Sequence, residues 1–553
     1  MKQLLQICCK NNKKSENFEL GTTILQIYEK IKPEMKHRPL CALVNNHLEG
    51  LKYRVFSSKQ IEFLDITSTQ GRKVYARSLC FVLWKAVEDL YPGCSLLFEA
   101  PVSKGYFFNL SMGRPVVKED VDALKQKMKE IIEEGYSFRR MEGLTEDVAA
   151  LFRERGMENK AKLFEGLGNI YTFYYKLCNT VDYYYGPLVP DTSFLGSFDL
   201  VYYQGGLLLR IPRYEDSNKF GKLEKQEKLL KAFRDCHELE ELLGVSTVGE
   251  LNEATTNGFS SGIIKVAEAL QEKNICRISD EIASREGVKI ILIAGPSSSG
   301  KTTFSKRLSI QLMTSGIKPY AISLDDYFVD REKTPRDESG DYDYESIYAL
   351  NLELFNEHLK ALLAGKEVEL PRYDFPTGKS VPSGNRIRLE PNMMLLLEGI
   401  HALNPMLTSE IADVYKYKIY VSALTTIKLD DHNHVPTADN RLIRRIVRDF
   451  LYRGVSPAST IARWPSVRRG EDKWIFPYHE NADVMFNSAL LYELAVLRTQ
   501  ALPALETVCE NQPEYAVASD LTHFLRYFKP IPDGELPPTS LLREFLGGSS
   551  FKY

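Results

Sequence analysis

The eight residues Gly295-Pro296-Ser297-Ser298-Ser299-Gly300-Lys301-Thr302 carry the spacing G-x-x-x-x-G-K-[ST]. Glycines at these places let backbone N–H groups close around phosphate oxygens, and a helix starting at the lysine adds partial positive charge. Lys301 would reach the β- and γ-phosphates of ATP, and the Thr302 hydroxyl would ligate Mg2+. Ser297, Ser298, Ser299 and Thr303 complete the expected cradle. A chain of this length meets the pattern by chance about once or twice per hundred sequences, so its surroundings decide. Two carboxylates follow. Asp325 comes directly after the run Tyr320–Leu324, and Glu398 directly after Met393–Leu397. Carboxyl ends of parallel strands face the ligand crevice. Asp325 could therefore accept the proton of an attacking hydroxyl, and Glu398 could hold Mg2+. Further on, Arg441, Arg444, Arg445 and Arg448 fall at i, i+3, i+4 and i+7, one face of a helix. Four guanidinium groups on one face need anions, and nucleotide phosphates would supply them, with Arg444 and Arg448 steadying charge in the transition state.

These residues work only if a strand, a glycine loop and a helix hold them. Lys289–Ala294 reads as a buried strand and Thr303–Met313 as a helix ended by Gly316. An α/β section of alternating strands and helices is expected over residues 288–505. Upstream, Gly21-Thr22-Thr23 leads into Ile24, Ile27, Tyr28 and Ile31, a capped helix, flanked by strands at Leu4–Cys8, Ala42–Val44 and Ile61–Leu64. This predicts a small α+β unit over 1–70. A second α+β unit over 71–215 is expected to hold a helix at Arg77–Leu90, strands at Ser95–Glu99 and Lys104–Leu110, and an amphipathic helix with Val121, Leu124, Met128 and Ile131 on one face. A hairpin around Gly205-Gly206 closes it. Residues 216–287 read as a helical connector. Residues 506–553, with Pro-rich turns, read as a loose tail or cap. The fold class is thus multidomain, α+β followed by α/β.

The length of 553 residues is beyond what one hydrophobic core supports. The 71 Lys+Arg against 74 Asp+Glu argue against a surface built wholly for nucleic acid. The longest apolar runs are far short of the roughly 20 residues a bilayer needs. No membrane role is expected. Nine cysteines, odd in number and without a C-x-x-C pair, suggest reduced thiols and a cytoplasmic setting. No N-K-x-D motif for guanine recognition follows the phosphate loop.

GPSSSGKTT, SLDDYF, GDYDYESIYALN, PRYDF, LLLEGIHAL, RRIVRDFLYRG and NADVMF occur in the order seen in uridine kinases and their phosphoribulokinase relatives. Residues 288–498 resemble that family. The resemblance implies an Mg·ATP-dependent kinase of a small-molecule hydroxyl, typically the 5′-OH of a nucleoside. Asp325 would be the base and Glu398 a magnesium carboxylate. Glu345 and Arg441 would grip the ribose, and Tyr373 would line the base pocket. The family's base-reading histidine and arginine are replaced by Gly378 and Ser380, and its R-G-R-D turn reads Arg453-Gly454-Val455-Ser456. A sugar or polyol acceptor therefore stays open, as does a nucleotide-gated regulator bound to RNA or the ribosome. The sequence is also compatible with a homo-oligomer.

Residues 1–70 resemble a TGS domain through LGTTILQIYEKIKP and ALVNNHLEGL. Residues 75–213 resemble the editing-type domain of threonyl-tRNA synthetase through ARSLCFVLWKAVEDLYPG, PVSKGYFFNL and YYGPLVPDTS. That family's H-x-x-x-H and C-x-x-x-H metal positions fall on Arg77, Phe81, Tyr184 and Leu188. With no thiolate or imidazole there, the resemblance implies that editing chemistry is absent. Tyr183-Tyr184-Tyr185 reads as core packing more readily than as a base-stacking surface.

Overall fold

The computed structural model describes residues 4–212, 220–337 and 340–552. The division expected near residue 215 lies outside them. Alternating apolar residues build a five-stranded sheet at the N-terminus, in the order Ser15–Glu19, Leu4–Cys9, Lys59–Leu64, Cys41–Val44, His47–Gly50. Its helix, Ile24–Ile31, starts at Thr23, whose hydroxyl accepts from the Gln26 N–H while the Gln26 side chain accepts from the Thr23 N–H. The following unit pairs a four-stranded antiparallel sheet with a three-stranded one. Its long helix runs Thr69–Leu90, two turns earlier than the apolar spacing predicts. The Ser68 hydroxyl accepts from Gly71 N–H and pins that start. Val121, Leu124, Met128 and Ile131 are buried on the helix Lys118–Glu133. Three helices, Glu227–Leu243, Val248–Thr256 and Ser260–Ser284, lead to the C-terminal half.

There, five parallel strands lie in the order Lys318–Ser323, Met393–Glu398, Ile290–Ala294, Lys416–Ser422, Val484–Asn487. The central strand is buried along its whole length, which accounts for its unbroken apolar sequence. The helix Lys301–Thr314 follows it, and the antiparallel hairpin Val368–Asp374/Lys379–Ile387 stands beside the sheet. Helices Thr437–Tyr452 and Pro457–Trp474 pack on each other near the sheet's carboxyl end.

The last segment packs instead of trailing. It forms the helix Tyr515–Leu525 and the short helix Arg543–Leu546. Leu525, Phe528, Leu541, Leu542 and Phe545 are fully buried. Proline-rich turns suggested looseness, but the apolar residues between them find cores on both sides. Among the described residues, no helix is long and apolar enough to cross a membrane.

The two halves meet through the loop before the helix Thr437–Tyr452. Lys160, wholly buried, is ion-paired with Asp182 (3.0 Å) and with Asp430. His432 Nδ1 lies 2.7 Å from Asp182 Oδ2, and Asn433 Nδ2 donates to the Tyr183 carbonyl at 2.8 Å. The His434 ring stacks on Phe98 with centroids 4.2 Å apart.

Candidate active site

The phosphate loop leaves the end of the central strand and enters the helix at Lys301. Gly300 has φ +80°, a left-handed conformation that glycine adopts without strain. At Gly295 a Cβ would lie 2.0 Å from the Val421 carbonyl oxygen, so only glycine lets the loop pass its neighbouring strand. The hydroxyls of Ser298 and Ser299 are buried without hydrogen-bond partners, although such groups are costly to leave unmatched.

Lys301 Nζ donates to the Pro296 carbonyl at 3.1 Å. Burial lowers its pKa, while the charges of Glu398, Asp325, Glu544 and Glu345 all oppose that shift. Thr302 Oγ1 donates to Glu398 Oε1 at 2.7 Å. Burial pushes the Glu398 carboxyl up, with Lys301 and Thr302 pulling it back. Asp325 sits in a short helical turn after the edge strand, started by the Ser323 hydroxyl accepting from its N–H. The protein around it raises its carboxyl above the ordinary aspartate range, against the pull of Lys301. A threonine hydroxyl bonded to a carboxylate, with a second carboxylate facing the same lysine, is a set of hard oxygen donors that suits Mg2+.

Glu345 faces Gly470 on the helix Pro457–Trp474. Burial, with Glu471 adding repulsion, raises its carboxyl to about 7 despite Arg445 and Lys301. Tyr373 is set apart on the hairpin, buried among Phe328 and Phe375 at centroid distances of 5.4 and 5.1 Å. Beside it, Arg331 lies against Gly378, one of the two positions where the resemblance places base readers, and donates to the Tyr344 hydroxyl at 3.2 Å. His401 is buried, and that burial lowers its pKa to about 4.

Three of the four arginines reach the phosphate loop, and Arg448 turns to Asp449 and Glu544. Arg441 donates to the Ser297 carbonyl (3.0 Å), Arg444 to the Ser298 carbonyl (3.4 Å) and Arg445 to the Ser297 hydroxyl (3.3 Å). Much of their charge is met inside the protein. Arg441 is doubly bonded to Glu471, and Arg444 to Glu493 at 3.1 and 2.5 Å. Both arginines are fully buried and act on the loop as braces. Arg445 and Arg448, partly exposed, share Asp449, and Arg448 also lies 3.7 Å from Glu544. Periodicity located the arginine face. Their counterions come from Glu471 and Glu493 on other helices and from Glu544 at the chain's end, and no local spacing links these to the loop.

The phosphoribulokinase/uridine kinase family model matches residues 290–491. Over 197 residues the chain is 34% identical to the uridine kinase of Staphylococcus aureus strain JH9, spanning 35% of this chain and 86% of that protein. The chain belongs to the phosphoribulokinase/uridine kinase family. To the uridine kinase of Halobacterium salinarum it is 30% identical over 194 residues, 35% of this chain and 77% of that protein. Family membership makes this a nucleotide-using phosphotransferase. The N-terminal region is similar to the threonine–tRNA ligase of Syntrophomonas wolfei, 29% identical over 174 residues. That match spans 31% of this chain and 27% of the ligase, so it covers about a quarter of the ligase's length.

Proposed function

We propose that the protein transfers the γ-phosphate of Mg·ATP to a hydroxyl of a small molecule, with the 5′-OH of a nucleoside the favoured acceptor. The observation that carries this reading is the hydrogen bond from Thr302 to the strand-end carboxylate Glu398 beside the phosphate loop, with Glu398 and Asp325 both acting electrostatically on Lys301. Thr302 and Glu398 would hold Mg2+, which supplies charge neutralisation at the β- and γ-phosphates. Lys301 leaves the Pro296 carbonyl to bind the same phosphates. The acceptor oxygen bonds to the γ-phosphorus as the bond to the β-phosphate oxygen breaks, and the hydroxyl proton passes to Asp325. Glu345 orients the acceptor and Tyr373 borders its far end, while Arg441, expected from the resemblance to grip the acceptor, is buried against Glu471 and braces the Ser297 carbonyl instead. Arg448 meets charge spreading over the transferred group, and Arg444 holds the Ser298 carbonyl and keeps the cradle in shape.

Gly378 and Ser380, where the family resemblance places a base-reading histidine and arginine, favour a second acceptor class, a sugar or another small polyol. A site lacking a polar base reader discriminates poorly between bases. Mass spectrometry of reactions with Mg·ATP and nucleosides, pentoses or polyols tests the choice. A nucleoside monophosphate supports the first reading, and a phosphate ester formed only on the sugars and polyols replaces it with the second.

In the N-terminal half, the positions of the resemblance's metal ligands hold Arg77, Phe81, Tyr184 and Leu188, all buried, with the Phe81 and Tyr184 rings 5.7 Å apart. We infer that this editing-like unit now serves as a rigid seat for the catalytic half.

A further inference from the structure

The chain's end reaches the nucleotide site. Glu544, on the short helix Arg543–Leu546, accepts from the Thr303 hydroxyl at 2.7 Å and from the Thr303 N–H at 3.4 Å. Its other oxygen lies 3.7 Å from Arg448 Nη1. Around it, Leu541 presses on Gly300, a Cβ there coming within 2.5 Å of the leucine side chain. The Phe545 ring lies beneath the guanidinium groups of Arg444 and Arg448, at 5.2 and 5.9 Å. An anionic side chain of the protein thus occupies donors in the first turn of the phosphate-loop helix.

In a phosphate loop the lysine reaches the β- and γ-phosphates and the next hydroxyl serves the metal. Here those are Lys301 and Thr302. The donors of Thr303, one residue further along, are left for the α-phosphate. A carboxylate and a phosphate cannot share them, because both are acceptors of like charge. We propose that Glu544 is a built-in competitor of the α-phosphate, holding the nucleotide site until Mg·ATP displaces it.

This rests on the reading of the loop as an ATP site and adds its regulation. The displacement is local. Leu541, Leu542 and Phe545 are fully buried, and the Tyr452 hydroxyl donates to the Leu546 carbonyl at 2.6 Å, so the segment's backbone stays in place while the glutamate side chain swings. The same movement releases Arg448, and the incoming phosphates provide its new anion. ATP binding is therefore an exchange of one anion for another, and the apparent affinity is reduced by the fraction of molecules with Glu544 seated.

Calorimetric titration of the full chain with Mg·ATP tests this in wild type, E544Q, E544A, K301A and E535Q, with a thermal melt of each. The proposal predicts that E544Q and E544A bind ATP about ten-fold more tightly than wild type, the loss of one charge-assisted contact. E535Q, which removes an exposed carboxylate from the same tail, should bind as wild type does, excluding a general charge effect. Folded E544Q and E544A with equal or weaker affinity, beside a wild type that binds and a K301A that does not, would overturn the competitor and leave the ATP site standing. No ATP binding by any of the five proteins would overturn the ATP reading itself, and the proposal with it.

Discussion

Two lysine-centred polar clusters in this chain differ in what their partners are. Around Lys160, charges are buried and matched by protein: Asp182 and Asp430 take the ammonium, and His432 takes the second oxygen of Asp182. Around Lys301, the ammonium donates to a loop carbonyl, four carboxylates act on it through their charge, and among the described residues the Ser298 and Ser299 hydroxyls have no partner. Burial of charge is tolerated when it is paired and hydrogen-bonded. The first cluster is complete without a ligand and joins two domains. The second keeps an ammonium and two serine hydroxyls that the described protein groups do not pair in this way, and the proposed phosphate site rests on that contrast.

The largest effect separates the clusters by function. Lys301→Ala should lower turnover by at least about a hundred-fold, as loss of a phosphate-stabilising group does, while the melting temperature stays near wild type. Lys160→Met should do the reverse. It leaves two buried carboxylates facing each other, at a cost of about 3–5 kcal/mol, read by denaturant unfolding, with no direct effect on the chemistry of molecules that remain folded. A variant at Lys160 that keeps full stability would break the comparison.

A third test uses pH. The Glu345 carboxyl ionises at about 7 in the folded protein against an ordinary value of 4.5. Between those values the folded state holds more protons than the unfolded state, so this group's contribution to stability falls as pH rises from about 5 to about 7. Glu345→Gln should flatten that slope, by about 2 kcal/mol at most across the window, in melts taken at successive pH values. The smallest effect is at a cap. The Ser456 hydroxyl accepts from the Ser459 N–H at the start of the helix that carries Glu471. Ser456→Ala should cost about 1 kcal/mol. Any loss of activity beyond that would show that the brace on Arg441 depends on this helix end.

The phosphate loop, its two strand-end carboxylates and the arginine face were legible because each rests on local spacing: four residues between glycines, a carboxylate after an apolar run, a 3.6-residue period. What spacing does not encode is which anions meet the arginines. Glu471 and Glu493 reach Arg441 and Arg444 from 30 and 49 residues away, and Glu544 reaches Thr303 across 241. The Lys160 cluster was hidden for the same reason. Asp430 and His432 lie in a loop with no periodic pattern, and their partners belong to another domain. The early start of the helix at Thr69 depends on the Ser68 cap, while the apolar period becomes visible only after Tyr75.

The central claim is that this site moves a phosphate from ATP to a small hydroxyl. The measurement that tests it most directly is ADP release from Mg·ATP against a panel of nucleosides, sugars and sugar phosphates, with Asp325→Asn as control. The account predicts acceptor-dependent release with a nucleoside, lost in the variant. Tight ATP binding with no release on any acceptor, or release that RNA stimulates and small hydroxyl compounds do not, would contradict it.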